Sequence, residues 1–323
     1  MTSTVTGRSV GSETPPTGME GGGVPPPSIP KWRRSAWPYL LSVPAVVLTA
    51  GILYPFAVGV YYTVLNYSIE HQYDAFFVGL DNFKSVLSPS STFFVGNAAK
   101  VTIEYALAAT IIETVLGVGI ALLLNRATVI GRTFEKVLIL PLMIAPAIAA
   151  TMWKFMFNAD FGVLNYILGL GRFDWLSKGF VLPSAVLVDV WIYTPFVAVL
   201  VLAGIRSLPR EPFEASSVDG AGPLYMFRRL MLPLIWPYIL VAVIFRFMDC
   251  LKIFDIPQVL TNGGPGTAAS TLQVSAYKDL IQNGEFSRGS TYMFILWILV
   301  FITARLLVGV LGKAQRRAAG SED

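Results

Sequence analysis

Six apolar runs, each long enough to cross roughly 30 Å of hydrocarbon, dominate this chain of 323 residues, near positions 36–65, 101–124, 137–157, 181–205, 235–260 and 292–311. They are continuous rather than the short periodic stripes of a soluble helix, so the bilayer is the implied solvent. A hydrophobic fraction of 54%, a charged fraction of 14% and a mean hydropathy of +0.62 point the same way, because a soluble domain is about a quarter charged. The expected fold class is all-α: a polytopic membrane protein with six transmembrane helices.

The ends of the runs set the orientation. Lys31, Arg33 and Arg34, then Arg126, Arg132 and Lys136, then Arg206, Arg210, Arg228 and Arg229, and finally Lys313, Arg316 and Arg317 fall on one side, against Lys84, Arg172, Lys178, Lys278 and Arg288 on the other. The richer side is cytosolic by the positive-inside rule, which places both termini in the cytosol of a multi-pass plasma-membrane protein. Basic residues grouped at span ends read as topology, so no nucleic-acid partner is expected despite the net charge of +4. Residues 1–30, rich in Gly, Pro, Ser and Thr, read as a disordered cytosolic tail. The basic cluster at 31–34 precedes a run too long for a signal-peptide core of about 7–15 residues, so the first span is expected to be uncleaved. The expected division is 31–97 for the first helix and an outer loop, 98–312 for the transmembrane domain, and 313–323 for a second cytosolic tail. Tyr61, Tyr62, Tyr67, Tyr73 and Trp175 suit the headgroup layer. Pro44, Pro55, Pro141, Pro146, Pro195, Pro237 and Pro257 each remove a backbone hydrogen bond and favour a kink. Cys250 is the one cysteine and His71 the one histidine, which leaves neither a disulfide within the chain nor a Cys-based metal site; no metal is expected.

The inner loop 206–236 is the most informative segment. Pro212 suits the first turn of a short helix, Glu211 and Glu214 complement its positive end, and Gly220 supplies a left-handed residue that stops it. Pro223 then starts a second helix along the inner face, with Leu224, Phe227 and Leu230 on one side. Ala215, Ser216 and Ser217 keep the first helix slim, so another surface can approach closely. Such an element reads either as a knob for a soluble partner or as a tether lying on the membrane.

The string Glu214-Ala215-Ser216, Asp219-Gly220-Ala221, Phe227 and Leu232-Pro233 closely resembles the "EAA" loop of binding-protein-dependent ABC importer permeases, whose pattern reads E-A-A-x-x-D-G-A, a spaced Phe, then I-x-L-P. Ser216 stands where Ala is usual and Leu230 near the usual Ile; the spacing is kept. The resemblance implies a type I ABC importer transmembrane domain in which Glu214, Ala215, Ser216, Asp219, Gly220, Ala221, Phe227 and Pro233 dock on an ATPase subunit. Arg246-Phe247-Met248-Asp249, Phe254-Asp255-Ile256 and the stretch Leu260-Thr261-Asn262-Gly263-Gly264-Pro265-Gly266 look like the carbohydrate-uptake branch. Trp191, Thr194-Pro195-Phe196 and Leu208-Pro209 fit the same branch, and the short outer loops resemble its trehalose and glycerol-phosphate permeases. The implied partners are a second homologous permease forming a heterodimer, two ATPase subunits and an extracytoplasmic solute-binding protein. No G-x-x-x-x-G-K-[ST] loop occurs in the chain, so ATP and Mg belong to the partner ATPase, no cofactor is expected here, and the chain is read as a transport subunit rather than an enzyme.

Charges inside the spans are costly unless they pair or line a cavity. Arg246, Asp249, Lys252 and Asp255 recur at intervals of three within the fifth run and are expected to share a helix side as a self-neutralising set. They read as substrate-pathway residues or as purely structural pairs; the near-neutral sum favours an uncharged sugar or polyol. Asp189, Trp191 and Tyr193 form a second polar and aromatic group suited to stacking on a sugar ring, or to ordinary helix packing. Glu104 and Glu113, nine positions apart, face opposite sides of their helix and are not expected to act together. An alternative reading is an ion-coupled secondary transporter, with Asp249, Asp255 and Glu113 as carriers. An intramembrane enzyme would need paired His, a metal cluster or a G-x-S-x-G elbow; the apolar runs hold no His pair and no such elbow, and the G-x-S-x-G string at 7–11 falls in the tail read as disordered.

Overall fold

The computed structural model describes residues 31–88, 91, 97–125 and 129–318. The expected tail 1–30, Arg126 and residues 319–323 lie outside the described residues, as do the side chains of Lys31, Arg33, Arg34, Arg132 and Arg317. The described chain is helical, in the order α1 Lys31–Tyr62, α2 Asp81–Val86, α3 Ala98–Leu124, α4 Val129–Leu138, α5 Pro146–Met156, α6 Val163–Leu168, α7 Val181–Arg206, α8 Glu211–Val218, α9 Pro223–Tyr225, α10 Leu232–Leu251, α11 Asp255–Thr261, α12 Leu272–Tyr277 and α13 Phe286–Ala318. One isolated antiparallel bridge joins Leu65 and Phe77.

Contacts divide the chain into two units, Met1–Tyr54 and Pro55–Asp323. The described part of the first is the leading portion of α1, with Val43, Val46, Val47, Leu48, Ile52 and Leu53 all exposed. A helix apolar on every side and uncovered is at home in hydrocarbon.

In the second unit α3, α7 and α10 form the centre. Two glycines let them approach: a Cβ on Gly117 would stand 2.6 Å from Val197, and one on Gly204 would stand 2.5 Å from the Tyr238 ring. Backbones close only where side chains are this small.

Among the described residues five helices are long and apolar enough to cross a membrane, and six if a bent pair counts as one span. The bent pair departs from the expected single span at 137–157 by far more than the kink expected at Pro141 and Pro146. Thr133–Met143 and Pro146–Met156 meet at 95°, with Ile144 and Ala145 extended between them. Pro146 excludes the helical conformation from the residue before it and cannot donate into a continuing ladder, so the helix stops and restarts.

The fifth span also differs from the expected 235–260. Its helix starts at Pro223 and ends at Leu251, and α11 is a separate short helix. Pro257 could not donate to Ile253 in a continuing helix, and Thr271 Oγ1 donates to the Ile253 carbonyl instead, at 3.1 Å. Pro195 and Pro237, by contrast, lie inside helices that continue past them. At the other end of the chain α13 extends to Ala318, so residues 313–318 continue that helix.

Candidate transport site and coupling loop

The inner loop folds locally much as its residues require. Pro212 sits in the first turn of α8, with Glu211 and Glu214 at its positive end. Gly220 has φ +77°; its N–H donates to Ser217 O at 3.2 Å and that of Ala221 to Ser216 O at 3.0 Å. This pairing satisfies two orphan carbonyls and stops the helix at a left-handed residue. No residue of α8 is buried, and Val218 is 87% exposed. Ala215, Ser216, Asp219, Gly220, Ala221, Tyr225 and Leu230 line a hollow of about 590 Å³ beside it. Glu214 is exposed, Phe227 is half-buried and Pro233 is exposed.

The expected second helix along the inner face is instead the start of the fifth span. α9 passes through a π-helical turn, Met226–Met231, into α10. Pro233 has no N–H to donate, and the wider turn relieves its ring's clash with the carbonyl of Arg229, four residues before it.

Within the spans, α3, α7 and α10 bring Glu113, Asp189, Tyr193, Arg246 and Cys250 together. Arg246 Nε donates to Glu113 Oε2 at 2.6 Å, and Nη2 donates to Glu113 Oε1 at 3.0 Å and to Asp189 Oδ2 at 2.9 Å. The Arg246 side chain is 3% exposed and both carboxylates are 0% exposed. Cys250 Sγ lies 3.2 Å from Arg246 Nη2 and 3.4 Å from Asp189 Oδ2. The guanidinium carbon stacks 3.9 Å over the Tyr193 ring. Ligand atoms of Glu113, Asp189 and Cys250 lie within 4.8 Å of one another, a spacing a metal ion would accept. Arg246 already supplies positive charge and planar donors there, while Asp189 Oδ1 is buried without a hydrogen-bond partner.

The self-neutralising arrangement expected for the fifth run holds in part, since Asp249 reaches both Arg246 and Lys252, and is corrected for Arg246's main partners and for Asp255. Arg246 turns inward to acids on other helices; Asp249 is 3.9 Å from its Nη1 and 3.4 Å from Lys252 Nζ, with both of the latter side chains half exposed. Asp255 belongs to α11 and is exposed. Asp189 is fully buried and accepts from Arg246 rather than standing on open surface. Trp191 packs edge-on against Trp153 at 5.8 Å, and Tyr193 and Trp191 are half-buried. Glu104 pairs with Lys100 at 3.6 Å on the exposed side, away from Glu113. Glu113 and Cys250 are the members that spacing within one helix overlooks. An intramembrane acid and an intramembrane arginine on different helices were the available signal.

Comparison with known proteins agrees with this architecture. Residues 113–318 match the family described as "Binding-protein-dependent transport system inner membrane component". The chain is 36% identical over 273 residues to a probable ABC transporter permease protein, y4oQ, of Sinorhizobium fredii, covering 83% of this chain and 86% of that one. It is 30% identical over 285 residues to the trehalose/maltose transport system permease protein MalF of Thermococcus litoralis, covering 86% and 95%. A solved bacterial alginate ABC transporter, in complex with an alginate pentasaccharide-bound periplasmic protein, shares the fold with a TM-score of 0.73 at 20% identity, over 86% of this chain and 94% of that one. An exposed, glycine-stopped helix on one face and an ion-clamped helical core thus sit in a chain that belongs to the binding-protein-dependent inner-membrane components, the permease subunits of ABC importers.

Proposed function

We propose that this chain forms half of the membrane path for a carbohydrate, of the disaccharide, oligosaccharide or polyol class, in an importer powered by separate ATPase subunits. A second homologous permease completes the path, two ATPase subunits bind at the cytosolic face, and an extracytoplasmic solute-binding protein delivers the sugar. The observation that carries this reading is α8, a helix with no buried residue, stopped by a left-handed glycine and bearing the motif of the coupling loop. Exposed, preorganised surface of this kind serves a partner. The trehalose and maltose named for the relative, and the alginate of the solved neighbour, support the substrate class.

In the proposed cycle, nucleotide-driven closure of the ATPase displaces α8 and shifts the helical core between two conformations. Tyr193 and Trp191 offer ring faces to a sugar, while Asp249 and Lys252 offer hydrogen bonds. Asp189 and Glu113 hold Arg246, which stacks on Tyr193, and exposed Asp255 starts the next short helix. The paired Asp249 and Lys252 favour an uncharged sugar. The ion-coupled alternative has no support: Glu113 is clamped by Arg246 and Asp255 stands on a separate helix.

A photoreactive amino acid at Val218 tests the assignment in cells. An adduct with an ATPase subunit is the expected outcome; adducts with lipid alone, or labelling from the external medium, would sink it.

A further inference from the structure

We propose that Glu135 is a positioning residue for coupling: through Arg206 it passes displacement of the 211–222 loop into the bent third span. The inference rests on the reading of that loop as the ATPase contact.

Glu135 lies on α4, the first arm of the bent span, and Arg206 is the last residue of α7. Arg206 Nη1 donates to Glu135 Oε1 at 3.1 Å and Nη2 to Oε2 at 2.9 Å. A two-pronged bond of this kind fixes direction as well as distance. The side chains are 47% and 25% exposed, and a pair so placed adds little to stability. Its value is register between two elements.

The end of α7 is held firmly. Ser207 N–H donates to Ala203 O and Gly204 O at 3.1 and 3.2 Å, and its Oγ lies 2.8 Å from Gly204 O and 3.0 Å from Tyr238 OH. Only residues 208–210 separate this anchor from α8, a connection short enough for a push on α8 to reach Arg206. Beyond Glu135, α4 leads through the Leu140–Met143 turn and the 95° bend into α5. α5 packs on α7 and α11, and Lys154 near its end donates to Val259 O at 3.0 Å. The pair thus joins the coupling loop to elements that reach the opposite face. Contiguity alone does not demonstrate coupling, which a double-mutant cycle measures.

The experiment uses the assembled importer in nanodiscs, with Met152→Cys on the exposed side of α5 as reporter; Cys250 is buried. Maleimide labelling rates are compared without nucleotide and after trapping with ATP and vanadate. The native pair is expected to give a change of about threefold or more, Glu135→Ala and Arg206→Ala each to abolish it, and the exchange Glu135→Arg with Arg206→Glu to restore it. Should the exchanged chain fail to assemble, Glu135→Gln decides, a lost change supporting the inference and a native one overturning it. A native change in Glu135→Ala, or an assembled exchange that stays silent, overturns it. No change in the native chain overturns it as well, and if the ATPase then also fails to co-purify, the loop reading falls with it.

Discussion

Arg246 and Glu113, 133 residues apart, meet through two hydrogen bonds of 2.6 and 3.0 Å in a site closed to solvent. Removing one partner of such a pair leaves an uncompensated buried charge, which costs about 3–5 kcal/mol. Arg246→Met, which strands Glu113 and Asp189 together, is expected to lower thermal stability in detergent more than Asp249→Asn, whose side chain is half exposed. Equal shifts in the melting temperature would contradict the clamp.

Gly204 and Gly117 are predicted to be intolerant for steric reasons alone. Neither has a left-handed φ, yet an added Cβ meets the Tyr238 ring at 2.5 Å or Val197 at 2.6 Å. Gly204→Val and Gly117→Val are expected to cost about 1–3 kcal/mol by overpacking, read as a drop in melting temperature. Gly119→Val, with nothing within 4 Å, is the control and is expected to stay near native.

Gly220 presents the opposite case. A Cβ there meets nothing within 4 Å, but φ is +77°, so the penalty of about 1–2 kcal/mol is borne by the backbone. Gly220→Val is expected to abolish co-purification of the ATPase while membrane insertion persists, and Gly220→Asn, which tolerates this region, to retain it. A valine variant that still binds the ATPase would remove the elbow from the docking argument.

Asn165 staples the segment after α5. Its Nδ2 donates to Phe173 O at 2.9 Å and, at 3.4 Å, to Asn158 O and Ala159 O, while its Oδ1 accepts from Trp175 Nε1 at 2.8 Å. Asn165→Ala unpairs buried groups at a cost of about 1–3 kcal/mol. Faster amide exchange through residues 158–175, with α3 unchanged, is the expected signature.

Burial lowers the Lys278 ammonium below the usual lysine range, and no carboxylate lies within ion-pair distance among the described residues. Because the folded chain holds this proton less well than the unfolded one, the charge opposes folding at neutral pH, and stability rises as pH climbs from the lowered value toward 10.5. Lys278→Met is therefore expected to raise the melting temperature at pH 7 more than at pH 10. A larger gain at pH 10 would refute the assignment.

The spans and α8 were legible along the chain because their causes are local. Length and apolarity place a helix in lipid, and Pro212, Gly220 and Pro223 start and stop elements within a few residues of themselves. The failures have one origin. Spacing by three placed Arg246, Asp249, Lys252 and Asp255 on a single helix, but Pro257 ended that helix early, and the acids that hold Arg246 came from α3 and α7. Pro141 and Pro146 announced a disturbance; the 95° angle followed from how the two arms pack.

The amino-acid sequence by itself thus determined that this protein lives in a bilayer, how many apolar segments it offers and where α8 begins and ends. Only the tertiary structure decided which charges face one another. Helix propensity and hydropathy act over a few residues, whereas Glu113, Asp189 and Arg246 become neighbours only when three helices pack, and a dry interior then leaves each charge no partner but the others.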